Sequence, residues 1–173
     1  MNERTGIVEM KGKPLTLVGD EIKIGDIAPD FEALNSDMES VSLSSFKGKV
    51  VVITTVPSLD TQVCDLETKR FNGEAKKLGD DVVILTISMD LPFAQKRWCE
   101  ETNVKNVHLL SDHRDGSFGK AYGVLIKELR LLARTIFIID TDGKVQYIQY
   151  AKETASEPDY DEVLEAIKKL KQA

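Results

Sequence analysis

Proline, threonine and cysteine recur at suggestive intervals in Pro57-Ser58-Leu59-Asp60-Thr61-Gln62-Val63-Cys64, the stretch of this chain best suited to chemistry. It follows an apolar run, Val50-Val51-Val52-Ile53, and opens a segment with helical spacing, which places it at a strand-to-helix junction. Pro57 fixes the backbone and removes a donor. Thr61 is positioned to cap the helix and to offer a hydroxyl. Cys64 falls in the first helical turn, where unpaired amides and the helix dipole favour an anion and lower a thiol pKa. A thiol of pKa about 8.5 is only a few per cent thiolate at neutral pH, and lowering it to about 6 raises the thiolate roughly thirtyfold. The plainer alternative is a buried packing cysteine, since Cys64 lies on the apolar face of the helix.

Three further groups carry potential chemistry. Cys99 lies in Leu91-Pro92-Phe93-Ala94-Gln95-Lys96-Arg97-Trp98-Cys99, either as core packing beside Trp98 or as a thiol that condenses with a sulfenic acid at Cys64. The wide separation of the two cysteines excludes a Cys-x-x-Cys centre. Arg134, in Leu131-Leu132-Ala133-Arg134-Thr135, stands at the mouth of an apolar strand. It is either an ordinary strand-end partner of a carboxylate or a fixed positive charge for the Cys64 thiolate, which it cannot compete with as a base. His108 and His113 match no zinc-ligand spacing, and no Gly-rich phosphate loop is present.

These residues need a scaffold, and the chain has the length for one. Its 173 residues, 42% apolar and with a formal net charge of −6, suit a single domain spanning residues 1–173 with a real core. No basic cluster points to nucleic acid, and no apolar run is long enough to span a bilayer. Met1-Asn2-Glu3-Arg4 lacks the apolar stretch of a signal peptide, so a cytoplasmic setting is expected. Two cysteines in a reducing compartment are inert packing residues or redox groups.

Ile7–Met10 and Leu15–Val18 read as an N-terminal β-hairpin, about residues 7–18. Lys49–Thr55 and Val82–Ser88 read as buried strands, residues 62–78 and Leu91–Thr102 as helices. Cys64, Phe71, Ala75 and Leu78 share one face of the first helix. Short elements follow near Val107–Leu110 and Ser117–Tyr122. Thr135–Asp140 and Lys144–Tyr150 form a hairpin around Thr141-Asp142-Gly143, and Tyr160–Leu170 is the last helix. The order predicts an α/β protein with a mixed central sheet flanked by helices, of thioredoxin-like topology.

With these elements in place, the chain resembles the peroxiredoxins, and within them the atypical 2-Cys branch, the thiol peroxidases. Gly25-Asp26-Ile27-Ala28-Pro29-Asp30-Phe31 and Ser45-Phe46-Lys47-Gly48-Lys49 match general peroxiredoxin segments. The octet ending in Cys64, the stretch from Asp90 to Cys99, Ser111-Asp112-His113-Arg114-Asp115 with Ser117-Phe118-Gly119, and Leu131-Leu132-Ala133-Arg134 match the branch. The resemblance implies that Cys64 is the peroxidatic cysteine, Cys99 the resolving cysteine of the same chain, and Thr61 and Arg134 the partners of the thiolate. It further implies reduction of hydrogen peroxide and organic hydroperoxides without a bound cofactor, thioredoxin as electron donor, and a homodimer. Gln62 replaces a proline or small residue, and Glu100 and Glu101 stand where small neutral residues are usual. Carboxylates beside Cys99 are expected to raise its pKa. A general thiol–disulfide oxidoreductase, a redox sensor and a thioredoxin-like binding module are the competing readings.

Overall fold

A computed structural model describes residues 1–172. The chain begins with two antiparallel strands, β1 (Glu3–Met10) and β2 (Lys13–Val18), joined by Lys11 and Gly12, both at positive φ. The predicted hairpin is therefore present, with its first strand longer than expected. Short strands β3 (Glu32–Leu34) and β4 (Ser40–Ser42) and one 3-10 turn (Leu43–Phe46) lead into β5 (Val50–Thr55), whose six residues are all buried. Then come α1 (Gln62–Leu78), β6 (Val82–Ser88), α2 (Pro92–Thr102), β7 (His108–Ser111) and α3 (Ser117–Ala121). Two-residue strands β8 (Leu125–Ile126) and β9 (Leu131–Leu132) precede β10 (Thr135–Ile139), β11 (Val145–Tyr150) and α4 (Tyr160–Lys171).

The main sheet has the order β11-β10-β5-β6-β7-β3-β4. β5, β6 and β7 are parallel and are joined by α1 and α2, while β10 runs antiparallel to β5. A smaller sheet, β1-β2-β8-β9, joins the N-terminal hairpin to the segment before β10. β8 and β9 escape sequence reading because two-residue strands have no periodicity to detect.

Alternation along the strands splits the core in two, as the pleat requires. Val50 and Val52 of β5, Ile84 of β6 and Ile136 and Ile138 of β10 pack with Cys64, Phe71, Trp98, Val163 and Ile167 of α1, α2 and α4. Val51, Ile53, Leu85, Leu110, Phe137 and Ile139 pack instead with Val8, Leu15 and Leu17 of the hairpin and with Phe118 of α3. Cys64 thus sits where α1 meets the sheet, at the end from which β5 departs.

Candidate active site

The segment between β5 and α1 is held in place by hydrogen bonds from its neighbours. Val56 continues the sheet by donating its N–H to Ile87 O at 3.1 Å. Pro57, buried, follows at the point where the strand leaves the sheet. Asp90, just beyond β6, accepts from the Ser58 hydroxyl at 2.7 Å, the Leu59 N–H at 2.8 Å and the Ser88 hydroxyl at 2.8 Å. This carboxylate clamps the turn that carries Thr61 into the helix.

Thr61 occupies the N-cap position of α1, and the helical ladder begins with Asp65 N–H to Thr61 O at 3.0 Å. The expected capping role is corrected in one respect: the Thr61 side chain takes no backbone amide of the helix. Its Oγ1 lies 2.6 Å from Cys64 Sγ and 2.8 Å from Ser58 O. A hydroxyl has one hydrogen, so it donates to a thiolate at Cys64, or to Ser58 O while accepting from a Cys64 thiol. Cys64, three residues into the helix, competes successfully for the group that would otherwise cap it. Cys64 is fully buried, while Thr61 beside it is exposed.

Arg134 reaches the same sulfur from the other side. Because β10 is antiparallel to β5, its start lies beside the end of β5, with Thr135 paired to Thr55. The Thr55 hydroxyl donates to Ala133 O at 2.6 Å, fixing the residue before Arg134. The Arg134 side chain is 2% exposed. Its Nη2 is 3.2 Å from Cys64 Sγ, and Nε and Nη2 both donate to Thr154 O, at 3.1 and 2.8 Å. A guanidinium cannot give up its proton here, so Arg134 presents a fixed positive charge to the sulfur.

Two groups in this cluster were not anticipated from sequence. Glu67, fully buried one turn after Cys64, places Oε2 3.3 Å from Arg134 Nη1, while its Oε1 has no partner. Burial pushes the Glu67 carboxyl up to about 8, with Glu157 adding to the rise and Arg134 opposing it. The signal was available in the spacing: a residue three after Cys64 shares its helix face. Thr154 acts through its backbone carbonyl, which no side-chain pattern reveals. Its N–H donates to Glu9 O at 3.0 Å, and Glu9 N–H donates to Lys152 O at 2.7 Å, so the N-terminal hairpin supports the carbonyl that holds Arg134.

Cys99 lies on α2, half-buried against the same apolar cluster as Cys64, and the two sulfurs are unbonded. Its thiol donates to Val104 O at 2.8 Å. Burial, then the neighbouring Glu100, raises its pKa, with Lys105 opposing. The expected effect of Glu100 is present. The adjacent Trp98 donates its indole N–H to Asp65 Oδ1 at 2.9 Å, linking the residue before Cys99 to the residue after Cys64. The structure thus brings Thr61, Cys64 and Arg134 into direct contact, sets Pro57 at the entry to their turn, and keeps Cys99 on the neighbouring helix.

A sulfur held between a hydroxyl and a buried guanidinium is equipped for nucleophilic attack. The model of the Redoxin family matches residues 23–164. The thiol peroxidase of Bacillus subtilis (strain 168) is 55% identical over 163 residues, 94% of this chain and 97% of that protein. A peroxiredoxin-like protein from Aquifex aeolicus superimposes with a TM-score of 0.89 at 48% identity, over 96% of this chain and 97% of that one. The thiol peroxidase from Chromobacterium violaceum superimposes with a TM-score of 0.84 at 25% identity, over 95% and 97% of the two chains. No helix among the described residues is long and apolar enough to cross a membrane. On the fold, the thiol site and these relatives together, the chain belongs to the Redoxin family and is an enzyme of its thiol peroxidase, peroxiredoxin-type branch.

Proposed function

We propose that the chain reduces hydrogen peroxide and organic hydroperoxides through a sulfenic acid at Cys64 and an intramolecular Cys64–Cys99 disulfide, which thioredoxin reduces. The observation that carries this reading is Cys64 Sγ held at 2.6 Å from the Thr61 hydroxyl and 3.2 Å from the Arg134 guanidinium. The Cys64 thiolate attacks the terminal peroxide oxygen. An S–O bond forms, the O–O bond breaks, and the other oxygen leaves and is protonated to water or alcohol. Arg134 and Thr61 hold the thiolate and face the charge that moves onto the peroxide. Pro57 keeps the turn open on its amide side, since it has no N–H of its own.

Cys99 then attacks the sulfenic acid, expelling water and forming the disulfide. Cys64 is covered and Cys99 is engaged with Val104 O, so in this scheme both helices loosen locally as the disulfide forms. A thioredoxin dithiol attacks the disulfide by thiol exchange and returns both cysteines to the thiol form. Leu91 and Phe93 expose apolar surface at the start of the helix that carries Cys99, a feature suited to a protein partner. A homodimer and a cytoplasmic setting, where thioredoxin keeps thiols reduced, belong to the same reading. No metal, flavin or haem takes part in it.

Peroxide consumption with reduced thioredoxin tests the scheme. Cys64→Ser should abolish turnover, because the nucleophile is gone. Cys99→Ser should react once, with mass spectrometry finding one added oxygen on Cys64, and then stall. Turnover in Cys64→Ser would refute the assignment, and normal turnover in Cys99→Ser would return Cys99 to a packing role.

A further inference from the structure

Arg134, itself buried, faces two buried acidic groups. Nη2 lies 3.2 Å from Cys64 Sγ, and Nη1 lies 3.3 Å from Glu67 Oε2. One guanidinium cannot neutralise a thiolate and a carboxylate together, and an uncompensated anion at such depth is strongly disfavoured. Glu67 Oε1, buried and without a hydrogen-bond partner, adds to the disadvantage of the charged carboxylate. Among the described residues, Arg134 is the one cation within ion-pair distance of Glu67. From α4 and the turn before it, Glu157 and Tyr160 face the pair, and Glu157 disfavours a further negative charge. Arg70, also on α1, is spent over the Tyr160 ring at 4.9 Å and on Glu74.

We propose that Glu67 is a positioning residue that carries a proton while Cys64 is a thiolate and releases it when Cys64 is oxidised, so that Arg134 balances one anion at every stage. This rests on the peroxidase reading above. Before reaction the site holds a thiolate, a guanidinium and a neutral carboxyl. Attack on the peroxide forms the S–O bond, breaks the O–O bond and takes two electrons from sulfur. The departing oxygen leaves as alkoxide or hydroxide and takes up a proton. Cys64 is now a neutral sulfenic acid, and the Arg134 charge that it held is free to turn to Glu67. The carboxyl then ionises against Arg134, and the proton that it gives up equals the one that the leaving oxygen consumes. The net charge of the site does not change, and neither does the proton count of the surrounding water. Burial favours the proton on Glu67 and Arg134 opposes it, so the balance turns on how much of the shared Arg134 charge the sulfur takes.

The test uses the chain with Cys99→Ser, which stops at the sulfenic acid, with and without Glu67→Gln. One equivalent of hydrogen peroxide is added near neutral pH in weakly buffered solution with an indicator dye. With Glu67 present, oxidation should draw almost no proton from solution. In the chain that also carries Glu67→Gln, each oxidised Cys64 should draw close to a full proton. Equal proton uptake in the two chains overturns the proposal. Infrared difference spectra decide the point without any change at Glu67. Glu67 is the only buried glutamate among the described residues, so isotope-labelled glutamate identifies its carboxylic acid C=O band. That band should disappear as Cys64 is oxidised, and its persistence overturns the proposal while leaving the peroxidase standing. If peroxide oxidises Cys64 in neither chain, the peroxidase reading falls and this proposal falls with it.

Discussion

At Cys64 the distances separate two kinds of contribution. Thr61 offers a hydroxyl at 2.6 Å that can turn, whereas Arg134 offers a charge at 3.2 Å that cannot be removed by deprotonation. Hydrogen bonds to a charged group are worth about 1.5–3 kcal/mol, so Arg134→Ala should slow the first oxidation by roughly ten- to a hundredfold. Stopped-flow measurement of a single turnover, beside ultraviolet absorbance of the thiolate, checks this. Both should fall together, and an unchanged rate would leave Arg134 a structural residue. Cys99 follows the opposite logic. Burial and the adjacent Glu100 hold its thiol in the protonated form, although the attacking species is the thiolate. Glu100→Gln should lower the Cys99 pKa and speed disulfide formation near neutral pH. An exposed charge pair is worth about 0.2–1 kcal/mol, so the gain should be at most about fivefold, and it should vanish above the Cys99 pKa, where no proton remains to be lost. Rapid quenching with a thiol-blocking reagent across a pH series would show it.

The elements explain how residues so far apart in sequence meet. The antiparallel pairing of β10 with β5 brings Arg134 beside the start of α1. α1 and α2 are the crossovers between β5, β6 and β7, so both cysteines lie on one face of the sheet. In the proposed scheme oxidation loosens the first turn of α1 and the body of α2, so amide exchange should quicken around residues 60–68 and 92–102 in the disulfide form. Identical exchange in the two states would contradict this. Most of this frame is legible in the sequence, because β5, β6, α1 and α2 are long and strongly patterned. The N-cap position of Thr61, the first-turn position of Cys64 and the proline opening α2 were all readable from residue type. What escaped is nonlocal. The spacing puts Glu67 on the helix face of Cys64, but its partner Arg134 arrives from β10, and the Thr154 carbonyl has no signature at all. β8 and β9 are defined by their pairing with β2 and with each other.

For the molecule as a whole, the two apolar clusters divide the labour. The cluster beneath α1, α2 and α4 encloses Cys64 and packs against Cys99, while the one beneath the hairpin and α3 contains neither sulfur. The hairpin still reaches the chemistry through Glu9, the segment around Thr154 and finally Arg134. Trp98 is the only tryptophan in the chain. Its indole N–H is tied to Asp65, directly after Cys64, and its backbone is joined to Cys99. In the proposed scheme, the motion that joins the two sulfurs pulls on this tie. The protein therefore contains its own optical reporter. Excited at the indole, it should emit at one wavelength and intensity when reduced and shift as the ring meets solvent and a nearby disulfide. The emission change should track disulfide formation in time and be lost in Cys99→Ser, so each catalytic cycle can be followed as light, without a label or a coupled enzyme.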